Sequence, residues 1–363
     1  MGKLYKTLFA AKSLLLLAMC LCAGLFARAA SYTGFKPAAI ALTDTSVCGS
    51  SATLNATSGL TNYKWSTGAT TQSITVSSSG AYWWETIDYA NNKVANGSFS
   101  AGNLGFSSSY VVPPGIQNSS LLFPEGTYAI TSNPRNVHSG FASFYDHTVG
   151  TSIGKMMVIN GASTANVTVW SENITVTPNT TYVFSVWFAS AHPNSPGQLN
   201  FSINGSQLGS TIQLTNTTGL WQNFTTTWSS GSSTTATIGL VNQNTAASGN
   251  DFAMDDVVFA PVIHHDINVT LNSNPVLSVI AAPSSCAVYN LTTAINGYDT
   301  NTYTYVFKDS LGNVISTTSA QAITQSGTYT VTAQNKTTGC ISSPQTITVS
   351  INSVPSKPNV TSP

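Results

Sequence analysis

Charged side chains are scarce in this sequence. They make up only 7% of the 363 residues, and twelve basic residues are balanced by twelve acidic ones. No basic run is present that could neutralise a row of phosphates, so binding to nucleic acid or to an anionic membrane surface is disfavoured. A disordered chain would combine high charge with few aromatics, whereas aromatics reach 10% here. The composition therefore favours a folded chain.

Catalytic motifs are missing as well. Glu85, Glu125 and Glu172 are the only glutamates, and with the scattered aspartates they form no convincing pair. Glycoside hydrolysis needs two opposed carboxyl groups roughly 5–9.5 Å apart. The sequence also lacks H-E-x-x-H, G-x-S-x-G and a phosphate-binding loop. We expect a protein that is not an enzyme.

The first thirty residues have the three parts of a secretory signal. In order, these are basic residues, a short apolar run and small residues at a cleavage site: Lys3, Lys6 and Lys12, then Leu14 to Phe26, then Ala27-Arg28-Ala29. The run is short for a bilayer-spanning helix, which needs about 20 apolar residues. We predict a signal peptide at 1–29 and a mildly acidic mature chain that is secreted or on the outer cell surface, without membrane insertion.

Beyond the signal, no convincing amphipathic helix is present. Runs of β-branched and aromatic residues alternate with turns rich in Gly, Asn and Ser, which is typical of strands. In TYVFSVWFAS (181–190), Tyr182, Phe184, Val186 and Phe188 share one face. A period of two with one apolar face predicts two antiparallel sheets packed on each other. The predicted fold class is all-β.

Two segments of the sequence are alike. The motif S-G-x-Y places Tyr82 in the first copy and Tyr329 in the second at the start of a late strand. Trp65 and Phe307 are the candidate core aromatics. Each copy reads as a small Ig-like sandwich with a tyrosine anchoring one corner.

The two copies differ at their ends. The second closes with TITVSINSVPSKP, but in the first no such strand follows Ile87, and the matching HHDINVTLNSNP appears only after Pro261. We infer that a jelly-roll module is inserted in the last loop of the first copy, as exposed loops permit. The predicted domains are a discontinuous Ig-like domain at 38–94 plus 262–274, a jelly roll at 95–261, a second Ig-like domain at 275–352, and a linker or truncated end at 353–363.

Three cysteines remain after the predicted signal. Cys286 and Cys340 lie at the first core strand and the last loop of one predicted domain, so we expect a disulfide between them in the oxidising exterior. Cys48 matches Cys286 in the repeat, but no cysteine lies near Val262 and Ile263, where its partner is expected. We expect a buried, inert thiol at Cys48, with an intermolecular link as the alternative.

Five blocks of the central segment carry a family resemblance. They are NGSFSAGNLGF (96–106), FPEGTYAITSNP (123–134), HTVGTSIGKMMVINGA (147–162), VTPNTTYVFSVWFAS (176–190) and NTAASGNDFAMDDVVF (244–259). The segment resembles the galactose-binding-like, carbohydrate-binding-module-like jelly rolls found beside Ig-like repeats in Bacteroidetes secreted and cell-surface proteins. The resemblance implies β-sandwich folds, often with structural calcium, and in many relatives polysaccharide binding.

The resemblance also implies where calcium would bind. Related modules take their ligands from the opening N-G-x-F-x turn and from an acidic residue on the last strand, which correspond to Asn96 and to Asp255 or Asp256. Ser98 and Ser100 stand where relatives tend to carry Asp and Glu, and this weakens the site. Asp255 and Asp256 point to opposite faces of a strand, so only one can serve readily. The alternative is that these acids cap a strand edge.

Sugar binding requires an exposed aromatic platform beside amide or carboxylate groups. Trp187 and Gln243 point away from the apolar sets of their strands, and Trp170 and Trp221 are further candidates. The alternative for each tryptophan is packing in the core or at a sheet edge. Asp146-His147 could ligate a metal, but hydrogen bonding within a long loop is the favoured interpretation.

Together these features predict an exported, non-catalytic surface protein. Its jelly roll would bind a polysaccharide or cell-surface glycan and would be displayed on the Ig-like modules. The alternative is a structural stalk or adhesin segment that contacts other surface proteins without binding sugar. No cofactor other than calcium is expected.

Overall fold

A computed structural model describes residues 44–116, 121–282 and 284–354. The predicted signal peptide and most of the predicted C-terminal linker lie outside these residues. The first strands are β1 Thr45–Cys48, β2 Ala52–Asn55, β3 Lys64–Trp65, β4 Ser73–Val76 and β5 Gly80–Ile87. They are followed by β6 Thr127–Thr131, β7 Met156–Asn160, β8 Val167–Thr175, β9 Thr181–Ser190, β10 Gln198–Ile203, β11 Ser206–Gln213, β12 Gln222–Ser229, β13 Thr235–Asn242 and β14 Phe252–Asn272.

The last strands are β15 Ser285–Cys286, β16 Tyr303–Lys308, β17 Val314–Ile315, β18 Gly327–Asn335, β19 Gln345–Val349 and β20 Ile351–Asn352. Helical structure includes α1 at Thr317–Ala320 and 3-10 turns at Tyr89–Asn91, Pro134–Asn136 and Leu291–Ala294. The predicted all-β class is confirmed.

The chain forms two compact units. In the described residues, the central unit is Asp88–Pro261, and the split unit consists of residues 44–87 and 262–354. Strand β14 contributes to both, with Phe252–Pro261 in the central unit and Val262–Asn272 in the split unit.

Two antiparallel sheets build the central unit. One has the order β12-β9-β14-β7-β6 and the other β11-β10-β13-β8. As the alternation predicts, Tyr182, Phe184, Val186 and Phe188 of β9 are fully buried, in one core with Phe201 of the second sheet. Burying one such side chain stabilises the fold by about 1.5–3 kcal/mol. The opposite face of β9 is therefore directed away from this core.

A long segment between β6 and β7 covers part of that outward face. Val137 and Phe141 pack against Met156 and Val158 of β7 and against Ala253 of β14, in a second apolar cluster. This packing positions the following residues, 144–150, above the end of β9 that carries Trp187.

The split unit contains two apolar clusters, one for each repeat copy. Trp65 and Trp84 belong to the first cluster, and Phe307 and Tyr329 to the second. Tyr329 donates its hydroxyl to the carbonyl of Gln325 at 3.0 Å, and Tyr82 donates to Ser78 at 3.0 Å. In both copies, the tyrosine thus fixes the chain four residues before it.

The strand order is also similar in the two copies. In the first, Val262–Val269 of β14 pairs antiparallel with β5, and Val269–Asn272 pairs parallel with β1. In the second, β17-β16-β18-β19 form an antiparallel sheet, and β15 pairs parallel with β20. The number of domains within this unit stays a prediction.

The predicted disulfide between Cys286 and Cys340 is wrong. The bond joins Cys48 to Cys340, and Cys286 is an exposed free thiol. Cys286 pairs with Asn352 in β20, whereas Cys340 precedes β19 at Gln345. About seven extended residues at 3.3 Å each separate these two ends, so Cys286 and Cys340 lie far apart.

The partner of Cys340 comes from the first repeat copy. Cys48 pairs with Asn272 at the end of β14, and the sulfur of Cys340 lies 3.9 Å from the carbonyl oxygen of Asn272. The expectation of an inert Cys48 thiol is therefore also wrong, because its partner comes from the other copy.

In the part of the chain that the structure describes, no helix has the length and apolar character needed to cross a membrane.

Candidate functional site

Two of the predicted sugar-binding residues meet on the outward face of β9 and β12. Trp187 belongs to β9 and pairs across the strands with Asn223 of β12, and Trp221 immediately precedes β12. Both tryptophans are partly exposed. Their position follows from the alternation of β9, because the residues between its buried aromatics point away from the core.

His147 joins the two tryptophans into one cluster. Its ring stacks on Trp187 with centroids 3.8 Å apart and planes 17° apart, and it meets Trp221 edge to face at 5.8 Å. The Trp221 indole donates a hydrogen bond to the carbonyl of Tyr145 at 3.0 Å. Phe144 supports Trp221 from a further side at 5.9 Å. We call the surface formed by Tyr145, His147, Trp187, Trp221 and Asn223 the aromatic face.

Two aspartates of β14 hold the loop that carries His147. The Oδ2 atom of Asp255 accepts hydrogen bonds from the main-chain N–H groups of His147 at 2.8 Å and Thr148 at 3.0 Å. Oδ2 of Asp256 lies 2.7 Å from Nδ1 of His147. Oδ1 of Asp256 accepts a hydrogen bond from the Thr148 hydroxyl at 2.6 Å. The strand thus sets the height and orientation of the imidazole above Trp187.

The turn at 146–150 is stabilised by a carboxylate of the loop itself. Asp146 is buried and accepts hydrogen bonds from the N–H groups of Val149 at 2.7 Å and Gly150 at 3.1 Å. Gly154 packs directly on this carboxylate, because an added Cβ would lie 2.0 Å from an Asp146 oxygen. For Asp146, hydrogen bonding within the loop, the interpretation favoured from sequence, is what the structure shows, whereas His147 is bonded to Asp255 and Asp256 of β14.

The other two predicted sugar-binding residues lie elsewhere. Trp170 is 1% exposed and packs against Phe184 in the core, so its ring cannot stack on a sugar. Gln243 follows β13 in the second sheet, and its amide donates to Asn166 at 3.3 Å. Neither belongs to the aromatic face.

The predicted calcium ligands come close to one another, and their side-chain oxygens have hydrogen-bond partners within the protein. Asn96 and Asp256 line one open pocket of about 350 Å³. The Asn96 amide is used by its own turn, since its Oδ1 accepts from Ala101 and its Nδ2 donates to Gly102 and Leu104.

Asp255 is occupied in the same way. Its Oδ1 accepts from the N–H of Asp256 at 2.8 Å, and its Oδ2 accepts from His147 and Thr148. N–H donors that point at a carboxylate oxygen occupy the position a cation would need. The two aspartates anchor a loop, and calcium binding at this place stays a prediction.

Asp255 should give the central unit an unusual pH dependence. Burial raises the pKa of Asp255 to about 7, with the Asp256 carboxylate acting in the same direction and N–H donors opposing it. Burial likewise raises the pKa of Glu125 to about 7 and of Asp251 to about 6. Because these values lie above the unfolded ones of about 4, the folded state binds protons more tightly. The resulting stabilisation is complete below about pH 4 and is lost as the pH rises through 7.

We therefore expect the melting temperature of the full chain's first transition to fall by several degrees between pH 5 and pH 8. Calorimetric or circular dichroism melts across this range would measure it. The variant Asp255→Asn, which has no titrating group at this position, should lose part of the slope. A wild-type profile that is flat, or that rises with pH, would contradict the assignment.

Comparisons with known proteins identify no family for this chain. No protein-family model and no curated protein matches the sequence. Among solved structures, a xylan-binding CBM22 module of Paenibacillus barcinonensis is 14% identical, with a TM-score of 0.30, and the match covers 48% of this chain and 94% of that one. A CBM4 module gives 15% identity, a TM-score of 0.25 and coverage of 46% and 99%.

A CBM61 module in complex with β-1,4-galactotriose gives 12% identity, a TM-score of 0.29 and coverage of 46% and 97%. These structural neighbours are carbohydrate-binding modules. At such identities and TM-scores, they carry no argument about the aromatic face or its ligand, which has to be inferred from the side chains.

Proposed function

We propose that the chain is an exported, non-catalytic protein whose central unit binds a glycan at the aromatic face. The observation that carries the proposal is the His147–Trp187–Trp221 cluster. Three rings lie partly exposed on a sheet, and a hydrogen-bonded loop holds them there. A soluble protein usually buries such rings, so a fixed and solvent-facing set marks a binding surface.

The chemistry of the face suits a sugar. The apolar side of a pyranose ring stacks on aromatic rings, and its hydroxyls need hydrogen-bonding groups at the rim. Asn223 and Thr225 are exposed beside Trp187 on the same sheet surface and offer an amide and a hydroxyl. His147 covers one side of Trp187, so a sugar would contact the joint surface of the three rings and Tyr145, which is 45% exposed.

Export is supported by the disulfide between Cys48 and Cys340, since such bonds persist in oxidising compartments. The absence of catalysis is supported by the hydrogen bonds of the two aspartates beneath the loop. Asp255 and Asp256 are both engaged in holding the loop that carries His147. Neither is free to act as a general acid or a nucleophile on a bound sugar.

Binding should depend on the exposed rings. We expect Trp221→Ala to weaken glycan binding about 5- to 30-fold, because loss of one stacking ring costs roughly 1–2 kcal/mol. Trp187→Ala should act similarly, and Trp187→Phe should retain part of the affinity. The assay is a glycan array followed by calorimetry on the strongest hit.

Trp83→Ala is the matched control, because Trp83 is a partly exposed tryptophan of the split unit. It should bind as the wild type does. If the correctly folded wild type binds no glycan on the array, or if Trp83→Ala loses as much affinity as Trp221→Ala, the proposal fails.

A second candidate is contact with another surface protein. Val149 and Leu220 flank the aromatic face and are 50% and 49% exposed, which suits an apolar protein interface as well. This function predicts an array without hits, together with cell-surface binding that Trp221→Ala removes.

A further inference from the structure

Two asparagine side chains of the central unit are buried with their oxygen atoms unpaired. Asn242 ends β13, Asn250 lies just before β14, and both are 0% exposed. The side-chain oxygen of each accepts no hydrogen bond. Burying an amide oxygen in this way costs about 1–3 kcal/mol, so each case calls for a physical explanation.

The nitrogens of the same two amides converge on shared main-chain oxygens. Nδ2 of Asn242 lies 3.1 Å from the carbonyl oxygen of Ala162 and 2.7 Å from that of Asn244. Nδ2 of Asn250 lies 2.9 Å and 3.2 Å from the same two atoms. Further contacts join Asn242 to Thr164 at 3.0 Å and Asn250 to Ala246 at 3.5 Å. Six contacts thus depend on the four hydrogens of two amides.

An alternative orientation of the amides would turn both unpaired oxygens toward these carbonyl oxygens, where only a cation could pair with them. The oxygen and nitrogen of an asparagine amide are told apart only by their hydrogen-bond partners. A half-turn of both groups would place two side-chain oxygens among four carbonyl oxygens, with neighbours 2.7–3.5 Å apart. Six to eight oxygens at 2.3–2.6 Å from a calcium ion lie about 2.8–3.4 Å from one another. The spacing therefore fits calcium ligands.

The surroundings favour a positive charge. Asp251 accepts a hydrogen bond from the N–H of Gly161 at 3.2 Å, and the Glu125 carboxylate interacts electrostatically with it. No ion pair joins either carboxylate to a basic side chain in the described residues. Both acids lie beside the same turn, 161–162, whose carbonyl faces the asparagines. In their ionised forms, both acids would attract a cation bound there.

The turn is also shaped to approach the asparagines closely. A Cβ added at Gly161 would lie 2.2 Å from the main-chain oxygen and 2.4 Å from the Cγ of Asn250. Only glycine permits this distance, so the carbonyl of Ala162 and the Asn250 amide are held in place by the fold.

We propose that Asn242 and Asn250 bind a calcium ion together with the carbonyl oxygens of Ala162, Thr164, Asn244 and Ala246. The ion would tie the segment 243–250 to the turn at 161–162 and so stabilise the central unit. This site is separate from Asn96, Asp255 and Asp256, and it does not depend on whether the aromatic face binds a glycan.

The test is a thermal melt of the full mature chain, stripped with chelator and then returned to millimolar calcium. Calcium should raise the melting temperature by roughly 5 °C or more. Magnesium should give a clearly smaller shift, because it requires six ligands at 2.0–2.1 Å. The double variant Asn242→Ala/Asn250→Ala should lose the calcium shift, while Asp256→Asn should keep it.

A second variant keeps the test informative if the double variant does not fold. Asn250→Asp preserves shape and adds a charge, so it should melt lower without calcium and bind calcium at least tenfold more tightly by calorimetry. The exposed Asn216→Asp serves as its control and should respond as the wild type does. The proposal is overturned if calcium leaves the wild-type melting point unchanged, if Asp256→Asn alone removes the shift, or if calcium fails to rescue Asn250→Asp.

Discussion

Replacing Asp255 by alanine should release the loop that carries His147 and remove binding at the aromatic face. Asp255 is fully buried and receives hydrogen bonds from three main-chain N–H groups. Its loss leaves these donors unpaired next to the core, which should lower the free energy of unfolding of the central unit by about 3–5 kcal/mol. Chemical denaturation would measure this change.

The effect on the loop can be observed separately. Amide hydrogen exchange at His147 and Thr148 should accelerate strongly in Asp255→Ala, since both N–H groups lose their acceptor. Asp266→Ala is the matched control, because Asp266 lies on the same strand with its side chain 80% exposed. It should change stability by less than about 0.5 kcal/mol. Equal effects of the two variants would show that Asp255 does not anchor the loop.

The second large effect concerns the disulfide. Cys48→Ser or Cys340→Ser should destabilise the split unit by about 2–4 kcal/mol, because the crosslink restricts the unfolded chain. Cys286→Ser should be nearly neutral, since Cys286 is a free and exposed thiol. Denaturant titrations of the three variants would give the ranking.

Peptide mapping without reductant tests the pairing directly. A fragment that links the peptides of Cys48 and Cys340 is expected. A fragment that links Cys286 to Cys340 would contradict the structure and restore the pairing suggested by sequence position alone.

The strand pattern was predictable because alternation along β9 depends only on which residues are apolar. That pattern buried Phe184 and Phe188 and turned Trp187 outward, as expected. Trp170 was not predictable in the same way. The register of β8 shifts opposite Leu240 and Val241, so Val169 and Trp170 are both buried although they are adjacent. A bulge of this kind reverses the sidedness that alternation assigns.

The features that could not be predicted depend on contacts between residues far apart in the sequence. Nothing in the sequence near His147 indicates that its loop returns to Trp187, because the anchoring carboxylates lie more than a hundred residues later. The pair Asp146-His147, followed by Thr148, was the available signal, and it suggested only local hydrogen bonding. Similarly, the repeat predicted that Cys48 and Cys286 occupy equivalent strands, which they do, but equivalence does not determine which sulfur lies beside Cys340.

The ends of the central unit have a consequence for how such a chain could diversify. Asp88 donates to Pro261 at 2.9 Å, and the adjoining residues Ile87 and Val262 are directly paired. Paired residues on antiparallel strands lie about 5 Å apart, so a two-residue turn could close this hairpin without the unit. We therefore expect that another sandwich whose termini lie a strand spacing apart could replace the central unit without altering a residue of the strands paired at Ile87 and Val262.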